Sequence, residues 1–241
     1  MKKRILASAI TILLSISCMA CGSAKESNEQ SETVAQTETV AQNETNEKKI
    51  IDGIKILNEY SIQVDNETIK HIVIAENTNS TARNIIAHCT AFDSNDVELS
   101  SVDDEQKSVS ANSKVCFDFS FKNLNAAKYD TFFLCSDPTG DVETADVTLV
   151  AEKSKEDDYK VNVFITNNSD KIIDSITFSL LFFKNNGLSC YSYGVEQKID
   201  PGSTIECNYS ALSRNDQETV TAHEFDFCEV YADYITTPFL Q

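Results

Sequence analysis

Cysteine and histidine give this 241-residue chain its widest chemical reach, with eight of the first and three of the second. A thiolate can attack a carbonyl, hold zinc or pair into a disulfide, and imidazole can hold a metal or move protons near neutral pH. Spacing decides among these. Cys18 and Cys21 lie together near the start, whereas Cys89, Cys116, Cys135, Cys190, Cys207 and Cys228 are dispersed. No CxxC occurs among those six, so neither a zinc site nor a thioredoxin-like site is expected. His71, His88 and His223 have no second ligand at metal spacing and read as surface side chains. Asp103-Asp104-Glu105 and Glu156-Asp157-Asp158 offer the oxygens that calcium uses, but without EF-hand spacing they read as solvated loop acids. With six glycines there is no Gly-rich phosphate loop, and no motif surrounds the histidines to make a Ser-His-Asp set. No catalytic, cofactor-binding or metal-binding residue is assigned, no cofactor is expected, and the chain reads as a non-enzyme.

The elements that would carry these residues have period two. Ile54, Ile56, Tyr60, Ile62 and Val64 mark a first strand or pair of strands, and Asp65-Asn66-Glu67 a turn. The next strand sets Ile72 and Ile74 on one face and Val73 and Ala75 on the other, and Asn77 to Ser80 breaks it. A later stretch repeats the phrase. At an offset of 91, Ile72 falls on Val163, Ile74 on Ile165 and Asn77 on Asn168. Ile85, Ala87, Cys89 and Ala91 fall on Ile176, Phe178, Leu180 and Phe182, and Glu105-Gln106-Lys107 meets an identical Glu196-Gln197-Lys198. At 90, Val115, Phe117 and Phe119 match Ile205, Cys207 and Tyr209. A tandem duplication is expected. Each copy has six or seven short strands with turn signals every 8 to 12 residues, the pattern of a β-sandwich. The apolar run Ile176 to Phe183 reads as a central core strand rather than a ligand groove.

The repeat also bears on the thiols. Cys89 falls on Leu180, Cys207 on Phe117 and Cys116 on Glu206, so the copies share no cysteine position among these three. Two of the three exchange cysteine with a large apolar side chain, as buried free thiols do. Free, mostly buried thiols are expected, with bridges Cys116–Cys135 or Cys207–Cys228 as the alternative.

The formal charge is −18, with 38 acids against 20 bases. It is −7 over residues 50–140 and −11 over 141–241, so both copies carry it. Such a field repels phosphate backbones, and nucleic-acid binding is not expected.

The N-terminus reads as an address. Met1-Lys2-Lys3-Arg4 is a positive n-region, and the apolar run Ile5 to Ile16 is shorter than the roughly 20 residues a bilayer span needs. Small residues then approach Cys21 through Met19-Ala20, and Gly22-Ser23 follows. The stretch resembles the lipobox of bacterial lipoproteins. The resemblance implies a signal peptide over 1–20, lipidation of Cys21 (alternative Cys18), and a mature chain held by two acyl chains at the outer face of the bacterial cytoplasmic membrane. Each buried methylene of such a chain contributes about 0.8 kcal/mol. Residues 21–49 are polar and hold the repeat Glu32 to Thr37 and Glu38 to Asn43. They cannot bury enough apolar surface to order themselves and read as a disordered tether with a root-mean-square span of about 30 Å.

The two copies, 50–140 and 141–241, resemble the immunoglobulin-like modules of bacterial lipoproteins, loosely of the FxLYD type. The residues carrying the likeness are the Asn-rich turns, Phe92-Asp93 at a strand end, and Phe183-Lys184 before Asn185-Asn186-Gly187. Tyr129-Asp130 and Phe225-Asp226 match the closing motif in part. The expected fold is therefore all-β, two tandem immunoglobulin-like β-sandwiches behind a signal peptide and tether. The expected function is a lipid-anchored, non-enzymatic binding module or spacer, its partner an unidentified protein or envelope polymer and its membrane contact the lipid on Cys21. The alternative is a solute-binding or accessory component of an envelope enzyme or transport system, which a pocket of convergent polar groups between the copies would favour.

Overall fold

The structure is a computed structural model that describes residues 50–122, 125–138, 146–214 and 220–236. Cys18, Cys21, the tether and most of the connection expected between the copies lie outside the described residues.

The chain is all-β, and the described residues hold no helix. In order, the strands are β1 Ile50–Ile51, β2 Ile54–Gln63, β3 Thr68–Asn77, β4 Arg83–Phe92, β5 Glu98–Val109, β6 Lys114–Lys122, β7 Lys128–Ser136, β8 Val147–Lys153, β9 Lys160–Asn167, β10 Ile173–Lys184, β11 Gly187–Ile199, β12 Thr204–Ser210, β13 Leu212–Arg214, β14 Val220–Ala222 and β15 Phe227–Thr236. All pairings are antiparallel. In the first half β1-β2-β3-β6 faces β5-β4-β7, and in the second β8-β9-β12 faces β11-β10-β15. Each half encloses its own core. Phe117, Phe119 and Phe121 of β6 meet Ile85, Ala87 and Cys89 of β4 in one, and Val161, Val163 and Ile165 of β9 meet Phe178, Leu180 and Phe182 of β10 in the other.

The two halves share a repeated hydrogen-bond pattern, and it corrects the register read from sequence. Asn77 is fully buried, and its Nδ2 donates to the carbonyls of Thr81 (3.0 Å), Val109 (2.9 Å) and Ser110 (3.1 Å), while its Oδ1 accepts from the Asn79 amide (3.0 Å). Asn167 is equally buried and donates to Lys171 (2.8 Å) and Ile199 (3.0 Å), with its Oδ1 accepting from Ser169 (3.0 Å). Asn77 therefore corresponds to Asn167, an offset of 90, and not to Asn168. The turn residues Asn112 and Gly202, both at positive φ, obey the same offset and donate to the carbonyls of Asn77 and Asn167. Val73, not Ile72, is the partner of Val163. The identical Glu-Gln-Lys triplets are also one residue out of step, because Ile85 pairs with Gln106 where its counterpart Ile176 pairs with Glu196.

Even-numbered residues of β2 also part company with the period-two reading. A bulge between Ile56 and Asn58 reverses the strand's faces, so Ile54 and Ile56 enter the first core while Tyr60 and Ile62 point away from it.

They point into a third apolar layer. Ile62, Ile72, Ile74 and Cys116 on the outer face of β2-β3-β6 pack against Leu181, Phe183 and Leu188 on the outer face of β10-β11-β15. The Tyr60 ring meets Phe183 edge-on, with centroids 5.3 Å apart. Two inner sheets are thus buried on both faces, which explains why His71 to Ala75 in β3 and Ser179 to Phe183 in β10 are each buried without interruption. In β9, with one outward face, burial alternates. The junction joins unlike sheets. The second-half counterpart of the first half's junction face is the outer face of β8-β9-β12, where Ile72 is replaced by Asn162, Cys116 by Glu206 and Asp118 by Asn208.

Gly194 marks a close approach inside the second core. A Cβ there would lie 2.3 Å from Cζ of Phe178 and 2.7 Å from Cζ of Tyr209, whose rings meet at 83°. Phe178 is fully buried and has no room to withdraw. Gly194→Ala is expected to cost about 1–3 kcal/mol, read as a lowered urea midpoint with unchanged slope.

Candidate functional site

Two places gather residues that could act on something else. The first is the outer face of β5-β4-β7. Ile86 and His88 of β4 lie opposite Leu134 and Phe132 of β7. Ile86, Phe132 and Leu134 are 38%, 41% and 55% exposed, and the His88 ring rests against Phe132 with centroids 4.7 Å apart. Across β5, His88 pairs with Asp103, and Glu105 lies opposite Ile86. The result is a flat apolar strip with carboxylates beside it. Its counterpart in the second half, the outer face of β11-β10-β15, is the face buried in the junction.

The second place is the polar edge of that junction. Ser179 of β10 donates to Oδ2 of Asp233 of β15 at 2.7 Å, and its hydroxyl lies 3.1 Å from the Tyr191 hydroxyl of β11. From the other half, Lys70 of β3 donates to Asp118 of β6 at 2.8 Å and stands 4.8 Å from the Tyr191 ring centroid. Asp104 of β5 accepts from the Asp118 amide at 3.0 Å. Oδ1 of Asp233 is enclosed and has no hydrogen-bond partner among the described residues. Burial, followed by the charges of Asp104 and Asp118, pushes the Asp233 carboxyl up to about 8 against the lowering effect of Ser179. Burial also raises Asp104. These are the convergent polar groups that a binding pocket between the copies would need, but Ser179, Tyr191, Lys70 and Asp118 bond within the cluster.

The other residues that the sequence singles out lie apart from one another. Asp103, Asp104 and Glu105 lie within strand β5, where Asp104 caps the edge of β6, a correction to their reading as loop acids. An exposed loop and a strand edge look alike in acid content, and only the inward parity of Asp104 distinguishes them. Glu156, Asp157 and Asp158 do lie in the turn between β8 and β9. His71 is buried, not superficial: it stacks on Tyr129 with centroids 4.1 Å apart and bonds Ser61 through Nδ1 at 3.0 Å. Its position on β3 beside Val73 and Ala75 was the available signal. His88 is half-exposed as expected, and His223, lowered by burial, meets the Ser213 hydroxyl at 2.7 Å.

All six described cysteines are free, with Cys89, Cys116 and Cys190 buried and the other three half-buried. Neither candidate bridge is formed. Burial raises every one of these thiols, Cys89 and Cys190 to about 12, so none is poised as a nucleophile. Among the described residues no group of three or more His, Cys, Asp or Glu could hold a metal ion.

No family model matches the chain, and no curated protein matches it. Among solved structures, red sea bream transglutaminase is similar over 76% of this chain at 10% identity and a TM-score of 0.23. The chain spans 31% of that protein's length, and a likeness of this size fixes neither family nor activity.

Proposed function

We propose that the protein is a lipid-anchored, extracytoplasmic interaction module: acylation at Cys21 (alternative Cys18) holds it at the outer face of a bacterial cytoplasmic membrane, residues 21–49 act as its tether, and two immunoglobulin-like sandwiches present a binding face. The observation that carries the reading is the exposed strip of Ile86, Phe132 and Leu134. Apolar side chains left exposed side by side on one sheet favour binding over a plain spacer. The equivalent sheet of the second half supports it, since that sheet uses the same outward face to pack against protein.

The test is a photo-reactive residue placed at Phe132 on intact cells, with one at Thr148 on the opposite outer sheet as the control. A specific adduct from position 132 that is lost in Ile86→Ser/Leu134→Ser is the expected result. Equal labelling from both positions, or adducts indifferent to the double substitution, would sink the assignment of this face. Separately, Cys21→Ala should abolish incorporation of an alkyne-tagged fatty acid and release the chain from the membrane fraction; retained label would move the anchor to Cys18.

A further inference from the structure

We propose that the junction between the two halves is a proton-dependent latch: Asp233 is held there as the neutral acid, and its ionisation in the presence of Asp104 and Asp118 opens the junction as pH rises. The inference is independent of the anchor and of the apolar strip.

The geometry carries it. Asp233 stands on β15 at the face that packs against the first half. Each element around it contributes to what it faces. On β15 itself, Tyr231 donates to Glu229 at 2.7 Å. Ser179 comes from β10 and Tyr191 from β11. The first half supplies Asp104 of β5, Cys116 and Asp118 of β6, Lys70 of β3, and Tyr60 of β2, whose hydroxyl is raised by burial and then by the charge of Glu229. In this cluster the cation Lys70 is committed to Asp118 at 2.8 Å. Among the described residues an ionised Asp233 therefore has one donor, Ser179, on Oδ2 and an enclosed Oδ1 without a partner. A neutral carboxyl tolerates that enclosure far better than an anion does.

The direction follows from linkage. The closed junction raises Asp233 to about 8, whereas an open one returns it toward the ordinary carboxylate range near 4. Closure binds the proton, so the contribution of this group is complete below about pH 4 and is lost as pH rises through about 8. For a single group, the open-to-closed ratio grows by up to about tenfold per pH unit in that window.

Cys116 is a built-in reporter, since it is buried in the junction layer, while Cys89 is buried in the first core. The experiment alkylates the full chain from pH 5.5 to 8.5, locates the label by peptide mass, and divides each rate by that of the denatured chain at the same pH. Protection of Cys116 should fall by at least about tenfold between pH 6 and 8 while that of Cys89 holds, and Asp233→Asn should remove the dependence. Constant Cys116 protection, a parallel fall at Cys89, or an unchanged profile in Asp233→Asn would each overturn the latch. Should Asp233→Asn not fold, carboxyl NMR of the unmodified chain decides. An Asp233 midpoint above 7 supports the latch, and one at or below 7 refutes it.

Discussion

Replacing Asn77 with alanine is expected to destabilise the protein by about 3–5 kcal/mol, and Asn167→Ala by a similar amount. The Asn77 side chain is fully buried and satisfies the carbonyls of Thr81, Val109 and Ser110 and the amide of Asn79. Alanine leaves these groups without their side-chain partner, at about 1–3 kcal/mol for each that stays out of water, as at the Val109 carbonyl. The figure is large against a typical total of about 5–15 kcal/mol. For a folded body of this size it corresponds to a fall in melting temperature of roughly 10 °C. Asn77→Asp is the sharper comparison, because it keeps the shape and the acceptor but loses the donors. Calorimetry of both variants in both halves checks the result; a loss below 1 kcal/mol at either corner would show that the asparagine merely fills space.

The second large effect is expected from Leu181→Asp. Leu181 is fully buried in the junction layer against the first half, with Glu229 and Tyr191 as its neighbours across the strands. The substitution removes an apolar side chain and places a carboxylate beside Glu229, for a combined cost of about 5 kcal/mol. Leu181→Met, which conserves volume, should cost less than about 1.5 kcal/mol. If the halves depend on this layer, Cys116 becomes alkylated in native buffer in Leu181→Asp and stays protected in Leu181→Met. Unchanged Cys116 protection in the aspartate variant would mean that the layer is dispensable.

How much of this was legible in the sequence differs from residue to residue. Alternation located the strands and the inward sets Ile85 to Ala91 and Ile176 to Phe182, because side chains on one face of a strand recur at every second residue. The uninterrupted runs in β3 and β10 were visible as well, and they mark the sheets buried on both faces. What those faces packed against was not legible, since a strand's composition records burial and not the identity of its cover. Register failed at Asn77 because Asn167-Asn168 offers two candidates and the Glu-Gln-Lys identity favours the wrong one; the side-chain bonds resolve it. The bulge in β2 left Ile54 and Ile62 in one apparent series on opposite faces. Asp233 carried no motif at all, and apart from Glu229 and Tyr231 on its own strand its environment comes from residues 42 to 173 positions away, from Tyr191 back to Tyr60.

Joining unlike sheets has a consequence for how such chains meet one another. The step that carries the first half onto the second is not self-closing: repeated from chain to chain it would add a new pair of sheets each time and build an open-ended fibre. The second half would have to offer the next chain the face that β2-β3-β6 offers within its own chain. It offers Asn162, Glu206 and Asn208 where that face carries Ile72, Cys116 and Asp118. Asn162 and Glu206 make that face a poorer one for a further step, although Phe164 keeps an aromatic where Ile74 stands, and the acidity of residues 141–241 places like charges in front of any chain that would continue it.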